Sequence, residues 1–382
     1  MRNWILFAFI TSFFCSLPGW TEAATPGWTE ATLPGRTQAA TTDTLLAADL
    51  KPLGRTVLNS SHHLELITSG AHFGFSFNGT QCALYVTIAD AGGHNYLQYE
   101  LDGVYQKRIR IEGHSQEPVI ITTGQAGQHR VWIYKATEAH TGALIIEKIA
   151  AQGIKSLAIP QLPLIEFIGN SITCGAAADD SEVPCGTGQY HDQHNAYMAY
   201  GPRVSRKLNV HFILASVSGI GIYRTWNRDS PSMPQVYANA DFQTNGSLKW
   251  DFKRYKPAIV SIALGTNDMS KGDGTPRAAF DTVRFVKEYV KFVQLVKANY
   301  PAAQIALLSS PMIKGDSREI LQRCLNRIKK EIDARYPNDK RIATFFFQPM
   351  DPHGCGGHPN VADHEIMAEE LTPFFARLLK TP

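Results

Sequence analysis

Four short runs, three closing an apolar stretch and one preceding the last helix, carry groups suited to acyl chemistry. Gly169-Asn170-Ser171-Ile172-Thr173 puts a hydroxyl just after an apolar strand. Ala215-Ser216-Val217-Ser218-Gly219 offers a glycine N–H, and Leu264-Gly265-Thr266-Asn267-Asp268 a side-chain amide. Both are donor types that stabilise an oxyanion. Near the C-terminus, Gly354-Cys355-Gly356-Gly357-His358-Pro359-Asn360 places an imidazole on a rigid loop. Taken singly, each residue has a structural explanation: a helix-capping serine, a turn glycine, a turn asparagine, a structural histidine. Taken in order, Ser171, Gly219, Asn267 and His358 supply a nucleophile, two oxyanion donors and a base. His353 and His364 match His358 in type, but His364 falls inside the final helical pattern, beside Glu365 and Met367, where it caps or packs.

Such groups work only if a scaffold brings them together. After Pro160, apolar runs at Leu164 to Gly169, Phe212 to Val217, Ala258 to Leu264, Ile305 to Ser309 and Ile342 to Phe347 alternate with helical patterns, the signature of a parallel sheet. Val283, Val286, Val290, Val293 and Val296 recur at three- and four-residue steps, as do Leu321, Leu325, Ile328 and Ile332, predicting two one-faced helices. In an open doubly wound sheet, ligands lie beyond the carboxyl ends of the strands, where all four groups fall. Residues 52 to 158 read differently. Period-2 runs at Leu64 and Leu66, Phe73 to Phe77, Leu84 to Ile88, and Val131 and Ile133 are separated by turn signals at Asn78-Gly79, Gly92-Gly93, Asp102-Gly103 and Gly124. About eight strands without a convincing helix predict an antiparallel sandwich of jelly-roll type. Its histidines show no metal-ligand spacing.

The chain resembles the SGNH (GDSL-like) hydrolases over residues 162 to 380, with Ser171, Gly219, Asn267 and His358 as the four named residues. More narrowly, it is similar to carbohydrate esterase family 2. The similarity rests on the strand-rich front domain with Lys135-Ala136-Thr137-Glu138 and Gly142, on Gly169 to Gly175, on Asn195 to Gly201, and on Ser218 to Arg224. The resemblance implies an α/β, doubly wound parallel-sheet catalytic domain (162–382) behind an antiparallel jelly-roll sandwich (52–158). It also implies removal of acetyl groups from sugar hydroxyls, often the 6-position, of acetylated xylan- or glucomannan-type polysaccharides or oligosaccharides. No metal or organic cofactor is needed for that chemistry. Ser171 and His358 would be catalytic, and the N–H groups of Ser171 and Gly219 with the Asn267 amide would form the oxyanion hole. Trp226, after the Gly219 strand end, is either a platform for a sugar face or a packing residue.

Two departures bear on mechanism. Asn170 stands where Gly-Asp-Ser has Asp, which alters local hydrogen bonding. The acid usual three or two residues before the histidine is replaced by Cys355 and Gly356. The expectation is therefore a Ser171–His358 dyad whose imidazole is oriented by a backbone carbonyl near Cys355 or Gly356, with Asp351 as reserve acid. Other readings are an SGNH lipid or other ester hydrolase, and a glycan binder with a degraded site. A lipase needs an apolar groove or lid, and no apolar insertion marks one, whereas the intact quartet opposes the binder.

Composition narrows the partners. In 382 residues, 37 Lys plus Arg against 34 Asp plus Glu give a net +3, no electrostatic case for nucleic acid or an anionic membrane, and room for an uncharged substrate. At the N-terminus, Arg2 and the apolar run Trp4 to Leu17, ended by Pro18-Gly19 and small residues at Ala23 and Ala24, read as a signal peptide (1–24) too short to span a bilayer. The expected location is secreted or periplasmic. An octapeptide starting at Pro18, Pro26 and Pro34 marks a low-complexity linker within 25–51. Without Cys15, five cysteines remain. The odd number leaves at least one unpaired; Cys174 with Cys185, and Cys324 with Cys355, are the candidate bridges, buried thiols the alternative.

Overall fold

The computed structural model describes residues 42–246 and 248–380. The expected signal peptide, the octapeptide units and Cys15 lie outside the described residues.

The front half is one antiparallel sheet of β1 (Asp43–Leu46), β2 (Thr56–Leu58), β3 (Leu64–Leu66), β4 (His72–Thr87), β5 (His94–Leu101), β6 (Val104–Tyr105), β7 (Ile109–Glu112), β8 (Val119–Lys135) and β9 (Leu144–Ser156). Its order is β2-β3-β9-β4-β8-β5-β6, with β1 added to β9 and β7 to β5. The period-2 pattern points Phe73, Phe75, Phe77, Val131 and Ile133 into a single core with Leu84, Ile146 and Ile149. Not every turn signal is a turn. Asn78-Gly79 lies inside β4 at a shift of register between Gly79 and Gln81, and Gly124 lies inside β8. Gly79 has a φ of +107°, so it absorbs a bulge that bends one long strand where two short ones were expected. The stretch read as linker ends in structure: β1 pairs with β9, and Leu45, Ala47 and Leu50 are buried, because their apolar side chains complete the core.

The second half is a parallel sheet, β10 (Leu164–Gly169), β11 (His211–Ser216), β12 (Ile259–Ala263), β13 (Gln304–Leu308) and β14 (Ala343–Phe345), in the order β11-β10-β12-β13-β14. Six α-helices connect or close it: α1 (Ser171–Cys174), α2 (Tyr200–Leu208), α3 (Met233–Val236), α4 (Thr282–Asn299), α5 (Gly315–Arg335) and α6 (Val361–Lys380). Ile168, Ile262, Ile305 and Leu307 pack with α4 and α5, whereas Ile165, Phe167, Ala306 and Leu308 pack with α2 and α6, so both sheet faces are covered. In α4, four of the five periodic valines are buried. Val283 is 64% exposed in the first turn, two residues after the cap Asp281. All four apolar positions of α5 are buried.

From β10 the chain passes to β11 on one side and then returns across β10 to β12 on the other. That reversal opens a crevice at the carboxyl end of β10, directly before Ser171. The sandwich docks beside it through buried polar groups. Arg55 Nη1 donates to the carbonyls of Tyr237 and Asn239, both at 2.7 Å, while the guanidinium stacks on the ring of Phe242 and Nη2 lies 3.9 Å from Glu166 Oε1. Arg108 Nη1 donates to the carbonyl of His194 at 2.9 Å. Buried arginines must be paired to be tolerated, so these contacts fix the two halves in one geometry.

Candidate active site

Ser171 opens α1 straight out of β10. Asn170 caps this turn, its side-chain oxygen accepting from Ile172 N at 3.1 Å, and Gly175 ends it in the left-handed region. The amide at position 170 therefore performs the capping a carboxylate would, and the serine stays at the helix start. Beyond β11, Gly219 adopts a φ of +75°. A Cβ there would sit 2.7 Å from Trp226 Cδ1, so glycine is required both by backbone conformation and by the ring packed on it. Trp226 N donates to the Gly219 carbonyl at 2.8 Å, which closes the small loop.

Beyond β12, the Asn267 amide donates to the Ile220 carbonyl at 2.8 Å, leaving its second hydrogen for a ligand. Its neighbour Asp268 is buried and accepts from Ile222 N and Tyr223 N, at 2.9 Å and 3.0 Å. Burial raises the Asp268 pKa to about 6, against the opposing pull of those two amides. This carboxylate ties the loop after β11 to the end of β12. Gly221 permits the approach, since a Cβ there would lie 2.3 Å from Asp268 Oδ2.

His358 follows a glycine turn and is half-buried. Its Nδ1 lies 3.2 Å from the carbonyl oxygen of Cys355, as the expected backbone-oriented imidazole requires. Nδ1 then carries the proton and donates, which leaves Nε2 as the acceptor. Burial holds the His358 pKa below 6.5, against the raising effects of the Cys355 carbonyl and of Glu138. A base of this kind is neutral at pH 7. Asp351, the reserve acid, is exposed and ion-paired with Lys314. His353 is bonded to Asp363 at 2.8 Å. His364 is fully buried on α6, where its Nδ1 accepts from Tyr200 N at 3.3 Å.

The loop of His358 is anchored by a disulfide between Cys185 and Cys355. Neither expected bridge forms: Cys174 and Cys324 are buried free thiols, as is Cys82. Cys174 lies on α1 with its thiol against Ser216 Oγ at 3.2 Å, and Cys324 faces the α5 core, so neither can reach a partner.

Ser171, Gly219, Asn267 and His358 line one open cavity of about 910 Å³ together with Trp226 and Tyr190. A hydroxyl, an imidazole with a free Nε2, and amide donors on one wall are the parts of serine-type acyl transfer. Metal chemistry has a weaker claim. Among the described residues, His94, His191 and Asp192 bring ligand atoms within 4.8 Å of one another, but His94 is already bonded to Asp192, and His191 Nε2 to the His94 carbonyl.

A family model described as GDSL-like lipase/acylhydrolase matches residues 167–364, and one described as carbohydrate esterase 2 N-terminal matches residues 53–160. The chain belongs to the GDSL-like lipase/acylhydrolase family. With both halves matched it falls in carbohydrate esterase family 2, and it is an ester hydrolase. An acetylxylan esterase/glucomannan deacetylase of Cellvibrio japonicus is 26% identical over 346 residues, 89% of this chain and 92% of that protein. The cellulase/esterase CelE of Acetivibrio thermocellus is 30% identical over 316 residues, 80% of this chain and 36% of its own. A solved family two carbohydrate esterase from Clostridium thermocellum, in complex with cellohexaose, superposes with a TM-score of 0.75 at 27% identity, covering 88% of this chain and 99% of that one.

The structure adds residues to the candidate site that sequence reasoning had not assigned roles. Asp268 braces two strand-end loops, Tyr190 and His140 line the cavity, and Glu138 reaches Ser218 from the sandwich. Asp268 had a local signal in its place beside Asn267. Glu138 lies 80 residues from Ser218, and no spacing rule connects them.

Proposed function

We propose that this esterase removes acetyl groups from the sugar hydroxyls of xylan- or glucomannan-type polysaccharides and their oligosaccharides, preferring 6-O-acetyl groups, and works outside the cytoplasm. The supporting observation is the meeting of Ser171, Gly219, Asn267 and His358 at one cavity, with His358 Nδ1 turned to the Cys355 carbonyl. Ser171 Oγ attacks the acetyl carbonyl carbon while His358 Nε2 takes its proton. The negative oxygen is held by the N–H groups of Ser171 and Gly219 and by the Asn267 amide. The C–O bond to the sugar then breaks, and the imidazolium returns the proton to the departing sugar oxygen. Water attacks the acetyl-serine, again losing a proton to His358, and acetate leaves as Ser171 is reprotonated.

The cavity suits a sugar. Trp226 and Tyr190 are 41% and 47% exposed at its wall, presenting aromatic faces to which pyranose C–H groups pack. The Cellvibrio japonicus relative carries the name acetylxylan esterase/glucomannan deacetylase, in line with this substrate class. Among the described residues, no helix is long and apolar enough to cross a membrane. Acetate release from acetylated xylan, acetylated glucomannan and a long-chain ester, comparing wild type with Ser171→Ala, tests the reading. Release from the glycans that Ser171→Ala abolishes is the expected result. Activity confined to the long-chain ester, or activity that survives Ser171→Ala, overturns it.

A further inference from the structure

Glu138 stands outside the four residues assigned to chemistry, yet it has the surroundings of a working anion. It lies just past β8, at the end of the sandwich, and its side chain is fully buried. The turn that presents it is braced. Lys135 Nζ donates to the carbonyls of Thr137 and Glu138 at 3.0 Å and 2.6 Å, and Thr141 Oγ1 donates to the Glu138 carbonyl at 2.8 Å. From there the carboxylate crosses to the hydrolase half. Oε1 accepts from His194 Nε2 at 2.9 Å and from the Ser218 hydroxyl, and Oε2 accepts from Ser218 N at 2.7 Å. His194 Nδ1 accepts from Ala177 N at 3.3 Å, so the proton of this imidazole sits on Nε2 and points at Glu138.

Such a set of donors is needed by an ionised group this deeply buried. Burial pushes the Glu138 pKa up, but the His194 hydrogen bond, the electrostatic influence of the neighbouring His140 and His194 rings, and the Ser218 hydrogen bond outweigh it and bring the value to about 2. The carboxylate is therefore charged throughout the working range of an esterase.

What it holds matters. Ser218 immediately precedes Gly219, and it is gripped through both its backbone N–H and its hydroxyl. Tyr190 OH donates to the same Ser218 oxygen at 2.8 Å, completing a directed chain from Tyr190 through Ser218 to Glu138. The groups that act electrostatically on His358 are Glu138 from the sandwich, His194 from the segment before α2, and His364 from α6. Burial lowers the pKa of both histidines, His364 to about 3, so at neutral pH Glu138 is the anion among them. Around Glu138 itself stand His140, His194, Lys135, Cys174 and Tyr190; burial raises the last two well out of the neutral range.

We infer that Glu138 is a positioning residue of the esterase, a carboxylate supplied by the sandwich that fixes Ser218–Gly219 beneath the oxyanion and provides the negative field in which the His358 imidazolium forms. The hydrolase half has no acid at its usual place before His358, and the partner domain fills part of that role at longer range. The inference rests on the assignment of Ser171, Gly219 and His358 made above.

The test uses the full chain and the pH dependence of kcat/KM for acetylated xylan. Glu138→Gln keeps the shape but turns an NH₂ toward donors and removes the charge. Its kcat should fall roughly thirtyfold or more, the scale of a lost charge-assisted contact at a transition state, with KM changed less than about threefold. Without the anion the His358 pKa drops further, so the acid limb of the profile should move to lower pH. Glu138→Asp, which keeps the charge, should leave the limb in place. An unchanged kcat in Glu138→Gln, or a lowered plateau with an unmoved limb, overturns the inference and makes Glu138 a docking residue only. Should Glu138→Gln not fold by circular dichroism, Ser218→Ala decides: it removes the hydroxyl clamp, and its kcat should fall about tenfold, whereas a wild-type kcat overturns the proposal. Ser171→Ala runs in parallel, because activity surviving that change refutes the nucleophile assignment whatever Glu138 does.

Discussion

The Cys185–Cys355 bridge joins stability to catalysis in a way one substitution can separate. Cys185→Ser removes the exposed sulfur and leaves Cys355 buried in place. The bridge spans 170 residues, and the chain-entropy relation for a closed loop of that length gives about 5 kcal/mol, an upper figure because unfolded chains retain structure. For a folded unit of this size, with about 2.1 cal/mol/K of unfolding entropy per residue, that corresponds to a fall in Tm of about 7 °C. The local effect is distinct. Cys355 supplies the carbonyl that accepts from His358 Nδ1, and the turn behind it contains Gly356 and Gly357, both at positive φ. Once the bridge is gone, the turn is held by Cys355 N to the Ala177 carbonyl at 2.9 Å, Gly354 N to the His358 carbonyl at 2.7 Å and His358 N to the Cys355 carbonyl at 3.2 Å. A hydrogen bond to a group that becomes charged contributes about 1.5–3 kcal/mol, so loosening it partway costs roughly tenfold in kcat. Thermal unfolding followed by circular dichroism, with steady-state acetate release well below the transition, measures both. A Tm within 2 °C of wild type would refute the entropic argument, and a wild-type kcat would show that the three backbone bonds alone hold the carbonyl.

Asn267→Ala should lower kcat about a hundredfold or more while moving Tm by less than 2 °C, since the amide makes one hydrogen bond to the Ile220 carbonyl and is only part-buried; stopped acetate assays and a thermal melt check both. Gly219→Ala places a Cβ 2.7 Å from Trp226 Cδ1 at a φ of +75°, so kcat should fall and the emission of Trp226 should shift, and an unaltered kcat would remove Gly219 from the oxyanion site. The acid limb of kcat/KM should lie below pH 6.5, because burial disfavours the protonated form of His358, and activity is lost only as pH falls through that lowered pKa. Asp351→Asn should retain wild-type turnover, the carboxylate being exposed and paired with Lys314, whereas His358→Ala should lose at least a thousandfold; equal losses would restore Asp351 as the orienting acid.

Much of this molecule was legible in one dimension. Alternating apolar residues mark the inward faces of β4 and β8, since side-chain direction in a strand follows position along the chain. The five apolar runs after Pro160 coincide with β10 to β14 to within two residues at either end, because parallel strands covered on both faces must be apolar throughout. Ser171, Gly219 and Asn267 could be picked out for the same kind of reason, each following an apolar run where a doubly wound sheet gathers its ligands, and His358 by its place on the Gly-rich loop before the last helix. Local rules failed where a residue's meaning depended on its neighbours in space. Asn78-Gly79 is a sound turn signal that tertiary pairing converted into a bulge, and proximity in sequence misled on the cysteines, whose partners depend on which loops meet.

The chain by itself determined the elements, the order of the four strand-end groups and the absence of an acid before His358. Only the tertiary structure decided which partners meet there: His358 Nδ1 against the Cys355 carbonyl on a turn tied down by the Cys185–Cys355 bridge, and Glu138 on Ser218, 80 residues away in the chain. Secondary structure is written in short periods that a sequence displays directly. The electrostatics of a site depend on distances across the core, and these exist only once Arg55, Arg108 and Glu138 have docked one domain against the other.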